Sequence, residues 1–216
     1  MSERTATSLA SPRLRALARR QAQAADEQRE HCDLCGAPIA SDHRHLVDVR
    51  SRELLCACRP CSLLFDRRGA GAGHYRLVPQ RRLALDCLQL SDEAWEQLRI
   101  PVQIAFFHRS SAAGRVVAFY PSPIGATESR LELPVWDELE RVNPALATLE
   151  DDVEALLVNR ARGARRQWIV PIEDCYRLVA VIRTSWRGLT GGKELWLAVD
   201  GFFGDLDDHA RSRQRR

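Results

Sequence analysis

Five of the seven cysteines lie between residues 32 and 61, as Cys32, Cys35, Cys56, Cys58 and Cys61. Cys32 and Cys35 form one Cys-x2-Cys pair, Cys58 and Cys61 form another, and 22 residues separate the pairs. Each such turn aims two sulfurs at one point, so two turns supply the four thiolates of a tetrahedral metal site. Zinc is the expected occupant, because a d10 ion accepts the geometry that four packed sulfurs impose. A single iron or an iron–sulfur cluster is the alternative, since spacing alone does not separate these from zinc. Gly36, directly after the first pair, permits the tight turn of a knuckle. Cys56 competes with Cys58 for the third position: if Leu54 to Cys58 is extended, both side chains face one side. Cys58 is preferred because it completes the paired spacing with Cys61. Disulfides or buried free thiols leave that paired spacing unexplained. His43 and His45 are read as surface residues of a hairpin rather than as substitutes for a cysteine.

The element that must hold these pairs is a short β-hairpin. Leu46 to Val49 and Glu53 to Leu55 are strand-like runs that flank Arg50, Ser51 and Arg52. Together with the cysteine turns they make a zinc-ribbon-like module over residues 29–80, too poor in apolar residues to fold unaided. An α+β domain is expected over 81–208. It begins with a helix from Asp92 to Arg99, capped by Ser91 and turning Trp95 and Leu98 inward. Strands follow over Val102–Phe107 and Arg115–Tyr120, the second ended by Pro121 and Pro123. A helix is expected over Pro134–Val142 and a strand over Trp168–Val170. Ile172, Cys175, Leu178, Val179, Ile182 and Trp186 recur at helical spacing after Pro171. Leu195, Trp196, Val199, Phe202, Phe203 and Leu206 mark a second amphipathic helix. Residues 1–28 read as a frayed helix or disordered segment, and 209–216 as a disordered basic tail.

The chain of 216 residues is 45% hydrophobic and 28% charged, values of a globular protein with a packed core. It has no run of about 18 apolar residues and no signal-peptide core near Met1, so a soluble cytoplasmic protein is expected. Its formal charge of +3 is small, but the charge is unevenly placed. Six arginines face Asp66 alone between Arg59 and Arg82, whereas Glu128 to Glu154 holds nine acids against Arg130 and Arg141. These stretches either attract each other or lie apart as two solvated surfaces, the second being the expectation. A nucleic-acid-binding ribbon would use Arg59, Arg67, Arg68, Arg76, Arg81 and Arg82, yet only Phe65 and Tyr75 interleave with them.

No catalytic constellation emerges, so no enzyme activity is assigned. The cysteine-flanked Asp42, His43, Arg44 and His45 lack the room and the downstream residues of an HNH nuclease. Gly69 to Gly73 has no following Gly-Lys-Ser/Thr and reads as an interdomain loop. Cys87 and Cys175 read as core thiols, and Glu150, Asp151 and Asp152 as the acidic start of a helix.

Several strings resemble those of an uncharacterised bacterial family, a domain of unknown function whose genes lie beside those of high-affinity, actinobacterial NiFe hydrogenases. They are CDLCG at Cys32–Gly36, HRHLVD at His43–Asp48, LLCACRPC at Leu54–Cys61, YPSPIGATES at Tyr120–Ser129, DVEALLVNR at Asp152–Arg160, PIEDCY from Pro171 and WRGLTGG from Trp186. The resemblance implies a genomic setting and an accessory role, with a hydrogenase subunit or maturation protein as partner. It carries no catalytic residues. Tyr120, Pro121, Pro123, Gly125 and Glu128 form the candidate partner-binding loop, its path fixed by the prolines and the glycine.

Overall fold

A computed structural model describes residues 30–66, 73–129, 135–188 and 191–214. The readings of residues 1–28 and of Gly69 to Ala72 lie outside it. The chain is α+β, with a cysteine-bearing ribbon ahead of a larger sheet and its helices. Among the described residues, no helix is long and apolar enough to cross a membrane.

The ribbon holds β1 (Arg44–Asp48), β2 (Glu53–Ala57) and, after helix α1 (Arg59–Leu64), β3 (Tyr75–Leu77), in the antiparallel order β2-β1-β3. Its turn is closed by Asp48, whose Oδ1 accepts the Arg50 N–H at 2.8 Å, and by Arg52 in the left-handed region. Register pairs His45 with Cys56 and Leu46 with Leu55. Successive side chains therefore point to opposite faces of the ribbon. Leu46 and Ala57 pack around Cys32 and Cys61, while Val47 joins the core of the main sheet.

The main sheet contains β4 (Leu83–Ala84), β5 (Ile104–Ser110), β6 (Arg115–Ser122), β7 (Gly125–Glu128), β8 (Glu154–Asn159) and β9 (Arg166–Pro171). Their order is β4-β9-β8-β5-β6-β7, every pair antiparallel. Helix α4 (Ile172–Ser185) and helix α5 (Gly192–Gln214) cover one face, against Leu157, Trp168 and Val170. The short helices α2 (Asp92–Gln97) and α3 (Trp136–Val142) cover the other, against Phe107, Leu156 and Ile169. Ser91 caps α2 by accepting the Ala94 N–H, and Trp95 and Leu98 are buried.

Several expectations are corrected. Glu150, Asp151 and Asp152 start no helix; they form the turn into β8, where Asp152 accepts the Ser111 N–H and Glu154 accepts the Glu150 N–H. Strand β6 does not stop at Tyr120 but continues through Pro121, which lies opposite Ala126 of β7. Helix α5 continues to Gln214, past residue 208, so most of the presumed basic tail is helical. Cys87 is exposed rather than core, whereas Cys175 is buried.

Among the described residues, members of the two charged stretches pair with each other, and further arginines meet acids distant in the sequence. Arg52 pairs with Glu128 at 3.1 Å, Arg76 with Asp152 at 3.0 Å and Arg81 with the fully buried Glu154 at 2.5 Å. Arg82 grips Asp174 with two nitrogens, at 2.6 and 3.0 Å.

His108, on β5, is only 5% exposed, and neither ring nitrogen has a hydrogen-bond partner. Burial holds it neutral, pushing its pKa down to about 4 against the attraction of Asp152 and Glu128 and with the repulsion of Arg52. Between about pH 6.5 and 4 the unfolded chain binds this proton and the folded chain does not. Stability should thus fall by about 3 kcal/mol across that window on account of His108 alone. Urea titrations of wild type and His108→Leu at several pH values test this. The variant should lose that share of the acid sensitivity, and parallel curves would refute it.

Candidate metal centre

The first knuckle is a turn that folds back on Cys32. The Gly36 N–H donates to the Cys32 carbonyl and the Cys32 N–H to the Ala37 carbonyl, both at 2.8 Å. Gly36 supplies the required positive φ of 71°. The second knuckle forms where the ladder ends. Strand β2 stops at Ala57, and Cys58 is the extended residue from which α1 starts, with Pro60 in the first turn and Cys61 just behind it. Asp33 ties the two knuckles together: its N–H donates to the Cys56 carbonyl at 2.9 Å, and its Oδ2 accepts the Cys56 N–H at 2.6 Å.

This arrangement brings the Sγ atoms of Cys32, Cys35, Cys58 and Cys61 within 4.8 Å of one another, Cys35 and Cys58 at 3.6 Å. A tetrahedron of 2.3 Å metal–sulfur bonds has edges of about 3.8 Å, so the four sulfurs match the size of one ion's shell. All seven cysteines are free thiols. Cys32 and Cys61 are buried and Cys35 is exposed, which places the cluster at the outer end of the ribbon.

Neighbouring sulfurs oppose the ionisation of Cys61 and of Cys35. Cys61 is pushed up to about 12, first by its hydrogen bond with the Cys58 thiol and then by burial. Cys35 is also raised: the Ala37 N–H favours its thiolate, but the Cys32 and Cys58 sulfurs outweigh it. At Cys32 burial is the largest influence and disfavours the anion, yet backbone N–H groups of Cys58, Leu34 and Cys35 together hold it at about 6. Cys32 ionises readily, whereas Cys35 and Cys61 resist. A cation at the centre removes that resistance, because it replaces sulfur–sulfur repulsion with attraction. The cluster can therefore hold a metal ion.

Cys56 is not in this set. The β2 ladder ends at Ala57, and Cys58, still extended but outside the ladder and at the start of α1, joins the first knuckle's sulfurs while Cys56 does not. Cys56 instead lies on the opposite face with His43 and His45, its sulfur within 4.8 Å of a nitrogen of each. The two histidines are not surface residues: the His43 side chain is 8% exposed and that of His45 is partly buried. This trio was readable from the sequence. Two histidines at i and i+2 of a strand share a face, and counting back from the Asp48–Glu53 turn puts His45 opposite Cys56.

The residues of the candidate partner loop form the β6–β7 hairpin. Pro121 is buried, Tyr120 and Gly125 are half-buried within strands, and Glu128 is held by Arg52. Pro123 is exposed at the tip, beside Ile124, which is 87% exposed.

No curated protein and no solved structure matches the chain. The sequence model of DUF5947, a family of unknown function, matches residues 31–210, which include both knuckles and the main sheet, and the chain belongs to that family.

Proposed function

We propose that this chain is a zinc-binding accessory protein that works by holding a partner rather than by catalysis. The observation that carries this reading is the convergence of four cysteine sulfurs within 4.8 Å. Four protein ligands complete a tetrahedral shell and leave no position for water or substrate, which is the pattern of a structural ion. Zinc fits best, because the paired turns set the geometry and zinc imposes none of its own. The sequence resemblance to proteins encoded beside NiFe hydrogenases points to a hydrogenase subunit or maturation protein as partner. The tip of the β6–β7 hairpin offers the contact, with Ile124 exposed in the turn between the two paired strands. A nucleic-acid role draws little support, since Arg76, Arg81 and Arg82 are engaged by carboxylates of the same chain.

A tagged chain expressed in a hydrogenase-producing host should enrich a hydrogenase subunit or maturation factor, and Ile124→Asp should weaken that enrichment at least several-fold. If neither kind of protein is retained by the wild-type chain, the accessory role is wrong. A second reading, an iron electron carrier, draws on the exposure of Cys35, which would give an electron a short path to the surface. Elemental analysis and an absorption spectrum of anaerobically purified protein separate the two. Zinc without visible sulfur-to-iron bands supports the first, and iron with such bands supports the second.

A further inference from the structure

We infer that His43, His45 and Cys56 form a second metal site, which takes a divalent ion of the zinc type through two imidazole nitrogens and one thiolate and leaves one coordination position open. A nitrogen of each histidine and the Cys56 sulfur lie within 4.8 Å of one another. The ribbon fixes them there: Cys56 on β2 is directly opposite His45 on the central strand β1, and His43, just before β1, has its ring centroid 4.6 Å from that of His45. The face of His45 and Cys56 is the reverse of the one that Leu46 and Ala57 turn toward Cys32 and Cys61, so the trio is a separate site rather than an extension of the four-thiolate cluster.

The hydrogen bonds of the two imidazoles prepare them as ligands. His43 Nδ1 donates to the Ala40 carbonyl at 2.8 Å and lies 3.4 Å from Glu30 Oε2. His45 Nδ1 donates to Glu173 Oε2 at 2.7 Å. With Nδ1 protonated on both rings, the lone pairs sit on Nε2. An imidazole whose second nitrogen is held by a carboxylate or carbonyl is the usual arrangement of a metal-ligating histidine. His43 Nε2 is also buried without any hydrogen-bond partner. An orphaned buried acceptor of this kind is costly, and an ion in the trio would satisfy it.

Two imidazoles and one thiolate are a donor set for zinc and its late first-row neighbours, and three protein ligands leave the fourth position to water or to a donor from another molecule. Because Glu173 lies in the first turn of α4, an ion bound by His45 would also tie the ribbon to the main domain.

The test is the zinc content of the full chain after equilibrium dialysis against buffered Zn2+. Wild type should hold about one ion more than either Cys56→Ser or His43→Gln, whatever metal the four-thiolate cluster carries. If either variant keeps the wild-type content, the site does not exist as described. A measurement without any variant stands beside it, the ring NMR signals of the wild-type histidines during Zn2+ addition. His43 and His45 should shift together and become fixed as Nδ1–H tautomers, and unchanged ring signals at saturating Zn2+ would overturn the assignment.

Discussion

Replacing Cys61 with serine should empty the four-thiolate cluster and unfold the outer end of the ribbon while the main sheet stays intact. The fully buried core there is Cys32, Leu46, Ala57 and Cys61, two of which belong to the sulfur cluster itself. So little apolar area cannot offset the conformational entropy of the knuckles. Structural zinc contributes on the order of 10–16 kcal/mol to the folding of comparable modules, and a serine hydroxyl does not replace a thiolate. The loss should be graded along the ribbon. Val47 and Val78 belong to the core of the main sheet, so the β1–β3 pair has support that the knuckles lack. Hydrogen exchange should show the amides of Cys32, Gly36 and Ile39 losing protection almost completely, with those of β8 unchanged. Chelation of the wild-type protein should give the same pattern. Full retention of knuckle protection in metal-free protein would show that the ribbon folds without an ion.

Arg82→Ala should destabilise the chain by about 3–5 kcal/mol, far more than the loss of an ordinary surface pair. Asp174 is 1% exposed at the start of α4, and Arg82 reaches it with two nitrogens at 2.6 and 3.0 Å. Without Arg82 a carboxylate stays buried with only the half-exposed Arg177, at 3.2 Å, to balance it. Arg177→Ala, by contrast, should cost about 0–1 kcal/mol. The double variant Arg82→Ala with Asp174→Ala should be more stable than Arg82→Ala alone, because the stranded charge is then gone. Urea unfolding of the four proteins measures all of this. Equal effects of Arg82→Ala and Arg177→Ala would mean that Asp174 is solvated or protonated once its partner leaves.

The parts of this structure that show in the sequence are those in which one face differs chemically from the other. Helix α4 is visible because Ile172, Cys175, Leu178, Val179 and Ile182 repeat along one stripe, and α2 because Ser91 is a cap with Trp95 behind it. Strand β8 has no such contrast. Every residue from Glu154 to Asn159 is buried, so its pattern does not alternate, and the acids before it look like a helix start. Pro121 reads as a terminator since it removes a ladder donor, yet beside the edge strand β7 that loss is tolerated. The ion pairs of Arg76 and Arg81 join residues more than seventy positions apart, and no local pattern encodes such contacts. The paired cysteine turns are legible because metal geometry demands a fixed local spacing. The burial of His45 is less legible, because it comes in part from Glu173 of the main domain, far away in the sequence.

The turn of the ribbon, where Asp48 and Arg52 close three residues, also works as a counting device. Because side chains alternate sides along a strand, adding or removing one residue between Asp48 and Glu53 would exchange the sides of β2 relative to β1. Cys56 would then turn toward the knuckles and Ala57 toward the histidines, so the number of turn residues sets which sulfur each side of the ribbon receives. Turn length is thus as strict a requirement as the identity of any cysteine, although none of the turn's side chains touches a sulfur cluster.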